Sequence, residues 1–192
     1  MPPHTAPSVS WFDDRKAAQI VAFFAARQGG TINVLKAIKL LYLSDRCHLR
    51  KYAFPITNDK YVSMPHGPVN SISLNLINGQ LFGAGWDEFI GDRADHDVGL
   101  RRQIAEDDLD ELSEAEIESL QEVWAQFGHM DQWQLSQWTH DNCPEWEDPN
   151  GSSNPIPYER LLKFLGFENA TLLANEIKSV EHADKIFAKL RP

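Results

Sequence analysis

NVLKAIKLLYLSDRCHLRKY, residues 33–52, is the stretch whose reading decides the fold. Val34, Ile38, Leu41, Tyr42, Leu49 and Tyr52 recur at helical spacing as one apolar stripe, while Leu40 and Leu43 add apolar surface on another side. A helix that is apolar on several sides must be surrounded, so this one is expected at the centre of a helical domain. Asp45 follows Leu41 and Tyr42 by four and three residues and therefore projects into the same stripe. A buried carboxylate without partners is costly, so Asp45 is expected to be met by backbone N–H groups at a helix start, or by Tyr, His or Arg side chains. Pinning the structure is the role that follows, with acid–base chemistry as the alternative.

Before this helix, Asp13 and Asp14 supply an N-cap and a favourable first-turn charge for another, in which Ala17, Ile20, Val21 and Phe24 recur until Gly29-Gly30 stops it. Residues 1–10 hold three prolines and few anchors and are expected to be a mobile arm. After the central helix, Asn58-Asp59 has turn chemistry and the β-type residues Tyr61-Val62-Ser63 predict a small strand. His66-Gly67-Pro68-Val69 then leads into a helix over Ile72 to Leu81, with Pro68 in its first turn and Gly79, Gly83 and Gly85 marking its end. Trp86 to Leu100 reads as a hairpin whose short runs are Phe89-Ile90 and Val98-Gly99-Leu100.

The remainder is helical. Ser113 and Glu116 form a capping box ahead of Ile117, Leu120, Val123, Trp124 and Phe127, and a further helix runs from Asp131 to Asp141. A proline-rich loop from Cys143 to Pro157 precedes a helix over Tyr158 to Leu165. The last helix, about Asn169 to Leu190, carries the stripe Leu173, Ile177, Val180, Ala183, Phe187 and Leu190. The expectation is a mainly α (α+β) single domain, a bundle of about six to seven helices with a small antiparallel β element. Residues 11–168 form its body, and the amphipathic helix of residues 169–192 either packs on that body or binds a partner.

With 42% apolar residues, 192 residues suffice for one core without disulfide staples. The two cysteines and the absence of an apolar leader predict a cytoplasmic protein with reduced thiols, and no stretch is apolar enough to span a membrane. The net charge of −10 is polarised. Residues 1–52 hold eight Lys/Arg against three Asp/Glu, whereas Gln103 to Glu159 holds fifteen Asp/Glu and no Lys or Arg. Such a segment repels nucleic acid and would steer a basic partner toward it; it is also what an ordinary solvated helix face looks like. DNA is not an expected partner, because the central helix is too apolar to lie in a groove and a basic footprint is missing.

No phosphate loop, Rossmann glycine pattern, nucleophile elbow or paired CxxC occurs, so no catalytic residue and no cofactor is expected. His140-x-x-Cys143 has metal-like spacing, with His129, Cys47 and His48 as remote partners, but four converging ligands are not evident and no metal is expected. Asp92, Asp95, His96 and Asp97 lack the glycine and terminal Glu of a calcium loop and read as a solvated turn. Trp124, Trp133, Trp138 and Trp146 crowd into 23 residues, which suits core packing or an aromatic recognition patch.

Several segments together resemble the Panacea antitoxin domain, the SocA-like or GepA-like phage-associated family. They are Lys39-Leu40-Leu41-Tyr42-Leu43-Ser44-Asp45-Arg46, Pro55-Ile56-Thr57 with Asp59, His66-Gly67-Pro68-Val69, and Leu135-Ser136-Gln137-Trp138-Thr139-His140 followed by Glu145-Trp146. The resemblance covers about residues 16–166 and departs at Ser44, where the family more often has Ala. It implies a helical domain with a small β element, encoded beside a toxin that it neutralises by direct binding and working in the cytoplasm without catalysis. The toxins of the family vary, and SocA is a proteolytic adaptor that hands its toxin to an ATP-dependent protease; a third reading, of a different class, is an enzyme that reverses a toxin's modification with Asp45, His66 or His140 as acid or base. The motif positions carried over as partner-binding or family-defining are Tyr42, Asp45, Arg46, His66, Gly67, Pro68, Val69, Trp138, Thr139 and His140. The implied partner is a cognate protein toxin of basic character, with a protease as a possible second one.

Overall fold

The computed structural model describes residues 11–190, so the arm of residues 1–10 lies outside the described residues. Eight α-helices and five short strands follow one another: α1 Asp14–Arg27, β1 Thr31–Asn33, α2 Val34–Tyr52, β2 Tyr61–Met64, β3 Gly67–Asn70, α3 Ser71–Ile77, α4 Ala84–Phe89, β4 Asp97–Gly99, α5 Glu114–Phe127, α6 Gln132–Asn142, β5 Asn154–Pro155, α7 Tyr158–Phe164 and α8 Ala170–Leu190. The mainly helical, α+β class expected from the sequence is the class observed.

The central position of α2 follows from its all-round apolarity. Ala37, Leu40, Leu41, Tyr42 and Leu49 are wholly buried, and α1, α5, α6 and β3 pack around the helix. Each fully buried Leu is worth about 1.5–3 kcal/mol relative to exposure, which is why this helix organises the others. The Asn33 side chain caps its start by accepting from the Leu35 and Lys36 amides, and Ala53, in the left-handed region at φ 56°, ends it.

Two small antiparallel sheets flank the helices. One pairs β1 with β4 in the register Ile32 opposite Val98; the other has the order β3-β2-β5, with Val62 opposite Val69 and Pro155. Three expectations are corrected here. Pro68 belongs to β3 and not to the first turn of a helix, because the start of α3 is capped from outside: Asp59 accepts from the Ile72 amide (2.8 Å), the Ser73 amide (2.9 Å) and the Ser73 hydroxyl (2.7 Å). Trp86 to Phe89 is the end of α4 and not a strand, since Trp86 and Phe89 are one helical turn apart and bury the same face against α1. Val98 accordingly pairs with β1, although the Ile90–Leu100 bridge keeps the outer part of the expected hairpin. Gly85, read as a terminator, lies within α4, where a Cβ would stand 2.5 Å from the Arg15 Cβ. Its missing side chain lets α4 approach α1, and the Asp14 carboxylate accepts from the Gly85 amide at 3.1 Å across that contact.

The last helix docks on its own domain over only part of its length. Ala170, Ala174 and Ile177 are buried and α8 packs against α7, but Val180 and Phe187, which the sequence placed on the same stripe, are 47% and 63% exposed. The body simply ends before the helix does. The side chain of Leu190 lies outside the described residues. No described helix is long and apolar enough to cross a membrane.

Candidate functional site

Lys39, Tyr42, Asp45 and Arg46 place polar groups on one stretch of α2 whose surroundings are otherwise apolar, and between them they reach β3, the segment after α2 and Glu145. Lys39 Nζ donates to the Pro68 carbonyl of β3 at 2.8 Å. The Tyr42 hydroxyl donates to Glu145 Oε1 at 2.7 Å, and Arg46 Nε donates to the same oxygen at 2.6 Å. Asp45 accepts from the Ile56 amide (2.8 Å), the Thr57 amide (3.0 Å), the Thr57 hydroxyl and the Asn70 side-chain amide (2.7 Å). The carboxylate is thus met by loop amides and by Thr and Asn, with the buried Tyr61 phenol beside it, and not by a helix start or by His or Arg. Sequence reasoning left Thr57 and Asn70 without a role because short neutral side chains carry no long-range signal.

Burial and pairing set the electrostatics of this seam. Burial raises the Asp45 pKa, opposed by the hydrogen bonds from Thr57, Asn70 and Ile56. Burial lifts the Tyr42 phenol well above its ordinary range, and the Glu145 charge adds to that. Lys39 is wholly buried, and burial pushes its ammonium down to about 7. Glu145, also wholly buried, receives a charge-assisted pair from Arg46, which is the arrangement a buried carboxylate needs.

The β2–β3 turn is locked from its other side by α6 and the segment after it. Gly67 has φ +100° and a Cβ there would stand 2.6 Å from Thr139 Oγ1 and 2.9 Å from Lys39 Nζ, so glycine is required twice over, by backbone and by contact. The Ser136 hydroxyl donates to the His66 carbonyl at 2.8 Å, and Trp146 Nε1 donates to the Met64 carbonyl at 2.9 Å. His140 stacks on Trp146 with ring centroids 4.2 Å apart, and its pKa is lowered by burial and by the neighbouring Lys39 charge.

The ten positions singled out from the sequence therefore divide. Tyr42, Asp45, Gly67, Pro68, Val69 and Thr139 are buried and form the frame that joins α2, the β2–β3 turn and α6; no partner reaches them without opening the fold. Arg46, Trp138 and His140 are half-buried, and Trp138 packs edge-on against Phe127 at 4.6 Å. His66 alone of the ten is exposed. It stands edge-on to Trp133, which is 59% exposed and which residue order alone does not separate from Trp124, Trp138 and Trp146. An acid–base reading built on Asp45, His66 and His140 loses its carboxylate, because both Asp45 oxygens are occupied and sealed. Among the described residues, no three His, Cys, Asp or Glu side chains gather to hold a metal ion, and Cys47 and Cys143 are both buried free thiols.

Part of the polarised charge of the sequence is paired across the fold, mostly at its surface. Arg15 pairs with Asp110 and Glu111, Lys16 with Glu116, Arg50 and Lys51 with Glu122, and Arg46 with Glu145. The basic first quarter of the chain thus clamps the acidic segment, and five of its carboxylates are met by that quarter's bases.

A family model described as antitoxin SocA-like, Panacea domain, matches residues 38–147, more than half of the chain. That span contains every member of the frame, from the α2 seam to Glu145 and Trp146. No curated protein and no solved structure matches the chain.

Proposed function

The chain belongs to the antitoxin SocA-like Panacea family, and from that premise we propose that it neutralises a cognate protein toxin by binding it directly in the cytoplasm, without catalysis. The observation that carries this reading is the family match across residues 38–147, a span that contains the buried polar frame and the exposed Trp133 beside it. A frame with sealed polar groups presents shape and charge; it offers no open acid–base pair. The test is co-expression with the product of the adjacent reading frame. Restored growth together with a co-purifying complex supports the proposal, and an undiminished toxin with no complex overturns it.

A second reading, delivery of the toxin to an ATP-dependent protease, is favoured by one feature. The outer half of α8 leaves Val180, Ile186 and Phe187 exposed, a handle distant in sequence from the family match. Toxin half-life separates the two readings. Loss of toxin that requires both this chain and the protease supports delivery, whereas lost activity at unchanged half-life supports simple blocking.

A further inference from the structure

The internal pairing of charges decides which acidic surface remains for a partner. Of the acidic segment, much of the part on and before α5 is met by Arg15, Lys16, Arg50, Lys51 and Arg102, leaving Asp107 ahead of α5 and Glu114 and Glu118 on it exposed outside any ion pair among the described residues. Around α6 the balance differs. Asp131 spends its side chain on capping the helix, with the Lys36 ammonium near enough to feel its charge, Asp141 receives the Gln137 amide, and Asp148 closes a local turn, so among the described residues none of the three forms an ion pair with Lys or Arg. The nearest paired acids, Glu145 and Glu147, use Arg46 and Arg160.

Trp133, Gln137 and Asp141 succeed one another at four-residue spacing, so they line the outward face of α6, and all three are exposed. His66 and Pro65 of the β2–β3 turn border this face, and the hydrogen bond from Ser136 to the His66 carbonyl fixes that border. An indole held on a helix, with carboxylates outside any ion pair at both ends of that helix, is complementary to a cation on an apolar stem. Its π face attracts Arg or Lys, and the carboxylates steer and hold the charge. Tryptophan is also the residue type that most often anchors protein interfaces. No exposed aromatic accompanies Glu114 and Glu118 on α5 among the described residues.

We infer that the outward face of α6, centred on Trp133 and bordered by His66, docks a Lys- or Arg-bearing segment of the partner protein. This assignment rests on the antitoxin reading, which it deepens by naming the surface and the chemistry of what it holds. The partner's cation lies over Trp133, between the charges of Asp131 and Asp141.

The experiment titrates the full chain with fluorescent octa-arginine and, in parallel, scores growth rescue against the adjacent gene product. Trp133→Ala removes an exposed side chain, and Asp131→Asn with Asp141→Asn removes charge while keeping the helix cap; far-ultraviolet circular dichroism and melting confirm folding. Glu114→Gln with Glu118→Gln is the control on α5. The expected result is binding weakened about ten-fold by Trp133→Ala and about three-fold by the α6 pair, with the α5 pair within two-fold of wild type. Absence of octa-arginine binding, equal effects of the α5 and α6 pairs, or an inert Trp133→Ala overturns the assignment. Rescue that survives Trp133→Ala also overturns it and leaves the antitoxin reading standing, whereas failure of wild-type rescue overturns the antitoxin reading and, with it, the assignment of this face to a toxin.

Discussion

The Asp45 carboxylate on α2 accepts the Asn70 side-chain amide at 2.7 Å, which ties the central helix to the last residue of β3 across 25 residues of sequence. With the Ile56 and Thr57 amides on its other oxygen, Asp45 holds two separate segments against one helix turn. Asp45→Ala leaves those buried donors unsatisfied, and each costs about 1–3 kcal/mol. We expect at least about 3 kcal/mol of destabilisation in urea unfolding, and any loss of neutralisation should track the unfolded fraction. A stable, inactive Asp45→Ala protein would show that this carboxylate acts on a partner.

Gly67 and Gly79 both have positive φ, +100° and +67°, but only Gly67 has neighbours where a Cβ would go. Gly79→Ala should therefore cost only the backbone strain, about 1 kcal/mol. Gly67→Ala adds a collision with Thr139 and should cost about 2–3 kcal/mol or more. Equal melting temperatures for the two variants would remove the steric argument.

Lys39 is held near neutrality by burial, with a pKa of about 7 against an ordinary value of 10.5. A depressed folded-state pKa means the unfolded chain binds the proton more readily, so Lys39 favours folding above pH 10.5. That contribution is lost as pH falls from 10.5 through 7. Between those limits this one group gives stability a rising slope of up to about 1.4 kcal/mol per pH unit. Lys39→Met should flatten that slope in denaturant titrations at pH 7.5, 8.5 and 9.5. An unchanged slope would show that the amine keeps its charge in the fold.

Ile177 is buried against the body, while Phe187 further along α8 is largely exposed. Ile177→Ala should cost about 2–4 kcal/mol, and Phe187→Ser should stay within about 0.5 kcal/mol. A large loss from Phe187→Ser in the isolated protein would mean that the outer half of α8 has a partner within the chain or in a second copy.

The central helix, the caps at Asp13 and Ser113 and the helical class were legible in the residue order, because periodicity and capping are set by neighbours within a turn or two. Asp45 was legible as a buried carboxylate for the same reason: its phase on the helix places it among Leu41, Tyr42 and Leu49. Its partners were not, since Thr57 and Asn70 come to it only through loop closure. The same limit hid the capping of α3 by Asp59, which made Pro68 look like a helix start.

By itself, the sequence determined that α2 would be enclosed and that its polar residues would need partners, since burial follows from local spacing and desolvation from burial. The tertiary structure alone decided which acids remain on the surface and which tryptophan stays out of the core. Charge neutralisation and exposure depend on distances between residues far apart in the chain. Arg15 and Asp110, separated by 95 positions, cancel one another at 2.6 Å, while Trp133 stands exposed because the helix that carries it turns that face away from the body.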